Sequence, residues 1–421
     1  MKRTAVLLIL IISIMSMSCF AEVVHSESNI ETQSEARTAE ALQLGDYFTL
    51  GKYNNEPILW RYVANDENGK LIVSDKVLCN KPFGKTNFWK ESFIRAWLNS
   101  SAAEGENEWS WITEYNTGIV EEDRISSTEQ GFLCENNFSK NEKSAFKTVK
   151  QWTMIPEEYL NLATNGINQT YTSLKVYIQG DPLIPPYFEF YDISEINKAY
   201  HGAAHELIDT VFLLDEMQLY SMWNNLGSIN ASLANSCSFL SHHSVVKYSL
   251  RTPETKFICT GVHDNKLRTV HCDFLSGIRP AFYIDEENSY IKSGSGTEDD
   301  PYVMDGKEKT VYINNIKAEI EEPPVTVEGI VMVPMQETFE KLGANVVYDE
   351  ETQAVTAELN GKYIYTLADN KGILINGESG DMGYPMTMVM GIPYVPLSAI
   401  ELSVTPNVLW NNELQQLNIV L

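Results

Sequence analysis

The sequence predicts an α+β protein with two structural domains. Its 421 residues are enough for two or three domains with hydrophobic cores. Short apolar runs alternate with turn residues and short helical patterns over residues 44–285, and a second pattern occurs twice within residues 307–421. We therefore expect a mixed domain of short strands and short helices, followed by a small α+β domain.

The first half of the mixed domain begins with strands. The runs "ILWRYV" (58–63) and "KLIVSDKVL" (70–78) have strand character, and Asn-Asn and Asn-Gly pairs mark the turns beside them. The stretch 89–101 has apolar residues at helical spacing and predicts a short amphipathic helix. Ser139 followed by Glu142 predicts a capping box at the start of another helix.

The second half of the mixed domain predicts one strand that runs into a helix and then four strands. The strand–helix segment is "DTVFLLDEMQLYSM" (209–222). The four strands are "KYSLRTP" (247–253), "KFICTGV" (256–262), "LRTVHC" (267–272) and "GIRPAFYID" (277–285).

The C-terminal segment contains an internal repeat with an offset of 62 residues. Val333-Pro334 corresponds to Val395-Pro396, and "NVVY" from Asn345 corresponds to "NVLW" from Asn407. Each copy predicts a strand, a helix that Val-Pro introduces, and two strands joined by a polar turn. Two copies this short are expected to share one core.

The segment between the two domains is acidic and rich in glycine and serine. It includes "GSGTEDDPY" (294–302), whose glycines favour turns. The predicted organisation is a signal peptide (1–21), a flexible leader (22–43), the mixed domain (44–285), a linker (286–306) and the C-terminal domain (307–421).

The N-terminus has the layout of a secretory signal peptide. Positive residues precede the apolar run 5–15, and small residues follow it. Cleavage after Ala21 gives a secreted protein, whereas lipid attachment at Cys19 gives an anchored one, and both interpretations stay open. Either way we expect an extracytoplasmic, secreted or cell-surface protein that contacts the membrane only through the signal peptide or this anchor.

Charge excludes one class of partner. The chain has 57 acidic and 31 Lys or Arg residues, a formal net charge of −26. Phosphate backbones would be repelled by such a surface, so nucleic-acid binding is not expected.

The tail resembles the copper amine oxidase N-terminal domain family of secreted Gram-positive bacterial proteins. The matching stretches are "VYINN" (311–315), "VMVPMQETFEKLGANVVYD" (331–349), "INGE" (375–378) and "PYVPLSAIELSVTPNVLWN" (393–411). The resemblance implies an α+β module for adhesion or envelope contact. The copper and the quinone of the oxidases belong to a different domain. The tail contains neither His nor Cys, so no copper site of three imidazoles is expected there.

The mixed domain resembles DUF6273, a bacterial domain family of unknown function. The resemblance is carried in order by "GKYNNEPILWRYV" (51–63), "LIVSDKVLCNKPF" (71–83), "WKESFIRAWLN" (89–99), "GFLCENNFSKNEK" (131–143), "DTVFLLDEMQLY" (209–220), "YSLRTP" (248–253) and "GIRPAFYID" (277–285). The ending "LRTP…GIRPAF" is also similar to the C-type-lectin-like and formylglycine-generating-enzyme superfamily. That similarity implies a lectin-like fold.

Seven residues of the mixed domain are candidates for ligand binding. Arginines on half-buried elements usually bind backbone carbonyls or carboxylates, which is the structural interpretation. The functional interpretation is a glycan-binding cleft in which aromatic rings stack on sugars. The candidates are Trp60, Trp89, Arg95, Trp97, Tyr248, Arg251 and Arg279.

No metal, cofactor or catalytic motif is predicted. His201 and His205 have helical i, i+4 spacing, but Gly202 replaces the Glu of a zinc-protease motif. The sequence does not show whether His242, His243, His263 and "HCD" (271–273) converge. The pairing of Cys79, Cys134, Cys237, Cys259 and Cys272 also stays open.

The expected function is therefore non-catalytic binding of a cell-envelope glycan or surface protein. The alternative is an enzyme on a formylglycine-generating-enzyme-like fold, with a metal or thiol site within 44–285.

Overall fold

The structure is a computed structural model that describes residues 37–111, 125–155, 176–177, 189–190, 204–235, 237, 247–255 and 257–421. These residues are mostly β-sheet with few helices. In this part of the chain, no helix combines the length and apolar character that a membrane crossing requires.

Within its described residues, the first domain contains two larger sheets, three two-stranded sheets and short helices. Its strands are β1 (Arg37–Thr38), β2 (Tyr47–Tyr53), β3 (Glu56–Asp66), β4 (Gly69–Ser74), β5 (Cys79–Pro82), β6 (Asn107–Trp111), β7 (Ile125–Glu129), β8 (Phe146–Lys147), β9 (Val149–Met154), β10 (Val176–Tyr177), β11 (Glu189–Phe190), β12 (Ala204–Asp209), β13 (Lys247–Thr255), β14 (Ile258–His263), β15 (Lys266–His271), β16 (Leu275–Ile278), β17 (Ala281–Ile284), β18 (Ser289–Ser293) and β19 (Tyr302–Gly306). Its helices are α1 (Phe93–Leu98), α2 (Lys140–Lys143) and α3 (Glu216–Leu226), with 3₁₀ turns at Ala39–Ala41 and Trp89–Glu91.

The chain passes directly between the two larger sheets in two places, from β4 to β5 and from β16 to β17. Seven strands of the larger one follow the order β18-β19-β2-β3-β4-β17-β8, and the other has the order β15-β14-β13-β16-β5. The run 277–285, predicted as one strand, is divided between them, because β16 ends at Ile278 and β17 begins at Ala281. Pro280 lies at the break, where its missing N–H removes a donor from the ladder.

The helix signals in the sequence coincide with observed helices. Ser139 and Glu142 form the predicted capping box of α2. Asp215 caps α3 in the same way, with its side chain accepting from the Gln218 N–H. The strand predicted before α3 is reduced to one isolated bridge between Phe212 and Ala281, since β12 already ends at Asp209.

The segment 286–306, predicted to be a linker, forms part of the larger sheet. Strands β18 and β19 pair in antiparallel orientation, and β19 pairs in parallel with β2 through Tyr302 and Phe48. Ile291 and Met304 are 5% and 2% exposed, so the hairpin contributes to the core. The polar residues that suggested a linker lie in the loop between its strands.

The predicted flexible leader also becomes ordered before residue 44. Ala39 and Leu42 are 0% and 2% exposed and belong to the hydrophobic cluster of the first domain. Residues 37–43 therefore belong to the folded part of the chain, and the earlier leader residues lie outside the described ones.

The C-terminal domain consists of three sheets and two helices. Its strands are β20 (Thr310–Ile313), β21 (Ile316–Ala318), β22 (Val325–Val327), β23 (Ile330–Pro334), β24 (Asn345–Asp349), β25 (Ala354–Leu359), β26 (Lys362–Leu367), β27 (Gly372–Ile375), β28 (Glu378–Asp381), β29 (Thr387–Val389), β30 (Ile392–Pro396), β31 (Val408–Asn411) and β32 (Gln416–Ile419). The helices are α4 (Met335–Lys341) and α5 (Leu397–Ser403). The sheet orders are β21-β20-β32-β31, β22-β23-β30-β29 and β24-β25-β26-β27-β28.

The sheet β22-β23-β30-β29 packs on the first domain. Val327, Val389 and Tyr394 are 0–2% exposed and belong to the same hydrophobic cluster as first-domain residues. Lys143 of α2 forms an ion pair of 2.9 Å with Glu322, and the two side chains are 1% and 12% exposed. Part of the C-terminal domain thus joins the hydrophobic core of the first domain, in agreement with a single compact unit over Thr38–Leu421, while a second hydrophobic cluster lies within the C-terminal domain.

Candidate functional site

The four predicted stacking rings lie inside the first domain. Trp60, Trp89, Trp97 and Tyr248 are at most 2% exposed. Trp60 and Trp97 donate their indole N–H to the carbonyls of Leu50 and Gln130, at 2.8 and 3.0 Å. A ring buried on both faces offers no surface to a sugar, so in this structure these rings stabilise the fold and do not line a cleft.

Arg251 is the centre of a buried polar network. Its guanidinium contacts Asp215 at 2.7 Å, the Leu213 carbonyl at 2.6 Å and the Gln218 amide oxygen at 2.8 Å. The side chain is 2% exposed. These bonds connect β13 to the start of α3. Arg251 therefore has the structural role expected of a buried arginine, which is to bind carbonyls and carboxylates within the fold.

Arg279 connects the two larger sheets. It donates from Nε to the Ser74 carbonyl at 2.8 Å, and its guanidinium lies 5.4 Å from the centre of the Tyr248 ring. Tyr248 in turn donates its hydroxyl to the Ile229 carbonyl at 2.6 Å. The Arg279 and Tyr248 side chains thus both form hydrogen bonds to buried backbone carbonyls.

Asp209 brings two of the candidates together. One carboxylate oxygen accepts from Arg95 Nε at 2.7 Å, and the other accepts from Trp89 Nε1 at 2.9 Å. Arg95 also donates to the Ile208 carbonyl at 3.1 Å, and 23% of its side chain is exposed. Of the seven predicted residues, Arg95 is the one that reaches an open cleft.

This cleft lies between the two domains and has a volume of about 500 Å³. Such a size is typical of small-ligand sites, which span about 300–1,000 Å³. Its lining comes from α1, β6, β12 and their neighbours in the first domain, and from the β24–β25 turn and the end of β29 in the second. The residues are Arg95, Ala96, Asn99, Ser100, Asn107, Thr148, Ile208, Thr210, Glu350, Met388, Val389, Met390 and Gly391.

Some polar groups of the cleft are already used by the fold. The Asn99 oxygen accepts from the Thr210 and Val211 N–H groups at 2.7 and 3.2 Å, and its amide donates to the Val211 carbonyl at 2.7 Å. Asn99 therefore positions the wall of the cleft. The Asn107 amide donates to the Ser100 hydroxyl at 3.4 Å, and this hydroxyl also accepts from the Ala102 N–H at 3.1 Å. Together with the partly exposed Arg95 side chain, they form a polar part of the cleft wall. Apart from Arg95, none of the cleft residues was a candidate from the sequence, because they come together only when the domains pack.

A second cluster lies at the end of β15. One donor atom from each of His271, Cys272 and Asp273 falls within 4.8 Å of the other two. Cys272 is fully buried, and burial lowers the pKa of His271, which favours the neutral imidazole that a metal requires. Nitrogen, sulfur and oxygen donors are the set that Zn²⁺ accepts. His263 is not part of this cluster, and His242 and His243 lie outside the described residues.

His205 differs from its sequence interpretation. It lies on strand β12, not on a helix, so a helical metal-binding pair with His201 does not form; His201 itself lies outside the described residues. Burial, with added repulsion from Lys90 and Arg95, lowers the pKa of His205 to about 4. Its ring packs beside Phe88, with centroids 5.3 Å apart.

The described cysteines are buried, and among the described residues no disulfide joins any two of them. Cys259 and Cys272 are both 0% exposed.

Comparison with known families supports the assignment of the C-terminal domain. Residues 312–419 match the model of the copper amine oxidase N-terminal domain. A search of curated proteins finds no match. The family match covers β20 to β32 almost completely and leaves the first domain unassigned. Residues 312–419 are therefore a copper amine oxidase N-terminal domain, a family named for a domain of the oxidases other than the catalytic one.

Proposed function

We propose that the protein is a non-catalytic binding protein that acts outside the cytoplasm, secreted or at the cell surface. Its ligand occupies the cleft between the two domains. The observation that carries this proposal is the cleft itself, about 500 Å³ in volume, with polar groups from the first domain and the Met388–Gly391 segment from the second. Both domains then contribute directly to binding.

The ligand class we propose is an uncharged glycan of the cell envelope. Hydroxyl, amide and guanidinium groups beside the methionines match the mixed polar and apolar surface of a sugar. The net charge of −26 disfavours anionic polymers. Because the predicted aromatic rings are buried, recognition rests on hydrogen bonds and not on ring stacking.

A cleft variant tests this proposal. Ala96 is an exposed residue of α1 that lines the cleft, so Ala96→Trp fills the space without disturbing the core. Glu91→Trp is the matched control, because Glu91 is exposed on the preceding 3₁₀ turn and does not line the cleft. We expect the unmodified protein and the control to sediment with insoluble envelope glycan and Ala96→Trp to lose most of this binding. Equal binding by all three proteins would rule out the cleft.

Protease treatment of the envelope separates glycan from protein as the ligand. Binding to a glycan survives digestion of the envelope proteins. Binding that disappears after digestion identifies a surface protein, the other partner expected from the sequence. No binding to either preparation would contradict the binding function itself.

We propose that export uses the N-terminal segment, by cleavage after Ala21 or lipid attachment at Cys19. Mass spectrometry of the N-terminal peptide from the native source distinguishes a free Glu22 from an acylated Cys19. An intact N-terminus starting at Met1 in the cytoplasmic fraction would contradict both routes.

We also infer that the C-terminal domain consists of two copies of one unit. In support, β20, β22 and β23 start at Thr310, Val325 and Ile330, and β27, β29 and β30 start 62 residues later. For the first domain we retain membership of DUF6273, with a C-type-lectin-like fold, as a proposal.

An enzyme remains the second candidate because of the cluster of His271, Cys272 and Asp273. A metal held there would supply a Lewis acid or an activated water. Stoichiometric zinc in the purified protein, lost in His271→Ala and retained in His263→Ala, would favour this candidate. Metal at equal levels in both variants would argue against it.

A further inference from the structure

A buried lysine, amide and carboxylate meet where the two domains join. Asp285 follows β17, Asn288 precedes β18, and Lys309 lies just before β20. Asn288 is 5% exposed, and the side chains of Lys309 and Asp285 are 4% and 18% exposed. The binding function proposed above does not use these three residues.

The side-chain nitrogens of Asn288 and Lys309 both lie near the same carboxylate oxygen of Asp285. Asp285 Oδ2 accepts from Asn288 Nδ2 at 2.6 Å and lies 4.0 Å from Lys309 Nζ. Asn288 Oδ1 is buried and has no hydrogen-bond partner among the described residues. The amide is therefore held at one end and unsatisfied at the other, which is an uncommon arrangement for a buried polar group.

The backbone holds these groups in place. The Asn288 N–H donates to the Asp285 carbonyl at 3.2 Å, and the Lys307 N–H donates to the Asn288 carbonyl at 2.7 Å. The Ser289 hydroxyl donates to the Asp285 carbonyl at 2.6 Å. The amide and the chain leading to Lys309 are thus fixed relative to each other.

Burial makes the charged form of the Lys309 amine less favourable than it is in water. Burial lowers the pKa of Lys309, although Asp285 acts in the opposite direction. A separation of 4.0 Å is longer than a hydrogen bond, so Asp285 compensates the buried charge only partly. An uncharged lysine amine is a nucleophile.

We propose that Lys309 and Asn288 become joined by an intramolecular isopeptide bond. Lys309 Nζ forms a bond to Asn288 Cγ, the Cγ–Nδ2 bond breaks, and Nδ2 leaves as ammonia. Asp285, which is hydrogen-bonded to Nδ2 and lies 4.0 Å from Nζ, takes one proton from Nζ as the amine approaches and delivers it to Nδ2. One amine and one primary amide give one secondary amide and ammonia, so no oxidant or cofactor is consumed.

The reacting atoms must approach to about 3–3.5 Å for this step. The two nitrogens lie 2.6 and 4.0 Å from the same Asp285 oxygen, so the remaining approach of the amine to the amide carbon is part of the proposed step. The product closes residues 288–309 into a covalent ring that contains the β18–β19 hairpin. It also attaches the end of the first domain to the start of the second by a bond outside the main chain.

Peptide mapping of the full-length protein tests the proposal directly. We expect the tryptic peptide ending at Lys292 to be linked to a peptide that begins at Glu308 and is uncut after Lys309. The linked mass should be lower than the sum of the two peptides by one ammonia molecule. Recovery of the two peptides unlinked and at full mass from the folded protein would overturn the proposal.

Variants assign the roles of the three residues. Lys309→Arg keeps the positive charge and Asn288→Ala removes the amide, and each should abolish the linked peptide. Lys292→Arg is the matched control, since Lys292 pairs with Asp305 and is 47% exposed, and it should retain the linkage. Asp285→Ala should slow or prevent bond formation. Undiminished linkage in Asp285→Ala would overturn the role of Asp285 as proton carrier.

Discussion

Replacing Arg251 by Met removes the cation from a buried polar network of the first domain. Arg251 is 2% exposed and contacts the Asp215 carboxylate at 2.7 Å, and this carboxylate is 11% exposed. Met retains most of the volume of the side chain but none of its donors. Asp215 is then left with an uncompensated negative charge in a buried position.

The expected loss of stability in Arg251→Met comes from the groups that no longer receive a hydrogen bond or an ion pair from Arg251. Breaking a buried ion pair by removing one partner typically destabilises a protein by about 3–5 kcal/mol. The Leu213 carbonyl and the Gln218 amide oxygen lose bonds of 2.6 and 2.8 Å, which adds to the loss. We expect Arg251→Met to lower the free energy of unfolding by at least about 3 kcal/mol.

The double variant isolates the ion pair. Asp215→Asn removes the charge while keeping a side chain that can cap α3. In Arg251→Met combined with Asp215→Asn, the loss should be smaller than the sum of the single losses by about 0.5–3 kcal/mol.

Urea denaturation, followed by tryptophan fluorescence, measures these differences. Arg268→Ala is the control, because Arg268 is exposed on β15 of the same sheet, and it should change stability by less than about 0.5 kcal/mol. A loss below about 1 kcal/mol in Arg251→Met, or strict additivity in the double variant, would refute this account of the network.

Three further predictions concern other parts of the molecule. Lys143→Met leaves Glu322 unpaired at the domain junction and should cost about 3 kcal/mol in thermal or urea unfolding; a neutral effect would show that the pair does not stabilise the junction. In Gly306→Ala the new methyl would lie 2.1 Å from the Asn141 carbonyl oxygen, so the hairpin must shift and stability should fall by about 1–3 kcal/mol. Burial lowers the pKa of His205 from 6.5 to about 4, so the unfolded chain binds the proton first. Stability should therefore be full above pH 6.5 and fall between pH 6.5 and about 4, and His205→Phe should flatten this part of the pH profile.

Local patterns predicted much of the regular structure. The capping box at Ser139 and the apolar spacing around Trp97 depend on residues close together in the chain, and both coincide with observed helices. The family of the C-terminal domain was predicted from stretches such as 331–349, which include a strand, a helix and the next strand. In these cases, the residues that form the sequence pattern also form the helix or strand that the pattern predicts.

Partners that are far apart in the chain could not be predicted from such local patterns. Strand β19 was predicted to be part of a linker because it follows a polar loop. Its partner β2 lies about 250 residues earlier in the chain. Arg95 was recognised as a residue that binds carboxylates or carbonyls, but its partner Asp209 is 114 residues away. Residue type therefore indicated which groups the seven candidates could bind. Whether a ligand reaches them depends on their burial, and burial is set by the assembled fold.

The parallel pairing of β19 with β2 has a mechanical consequence. Strand β2 lies near the start of the described chain, and β19 leads directly into the C-terminal domain. Pulling on the two ends would draw these parallel strands past each other in shear, so that their hydrogen bonds bear the load together and not one after another. A protein built in this way would resist stretching at the place where its two domains meet.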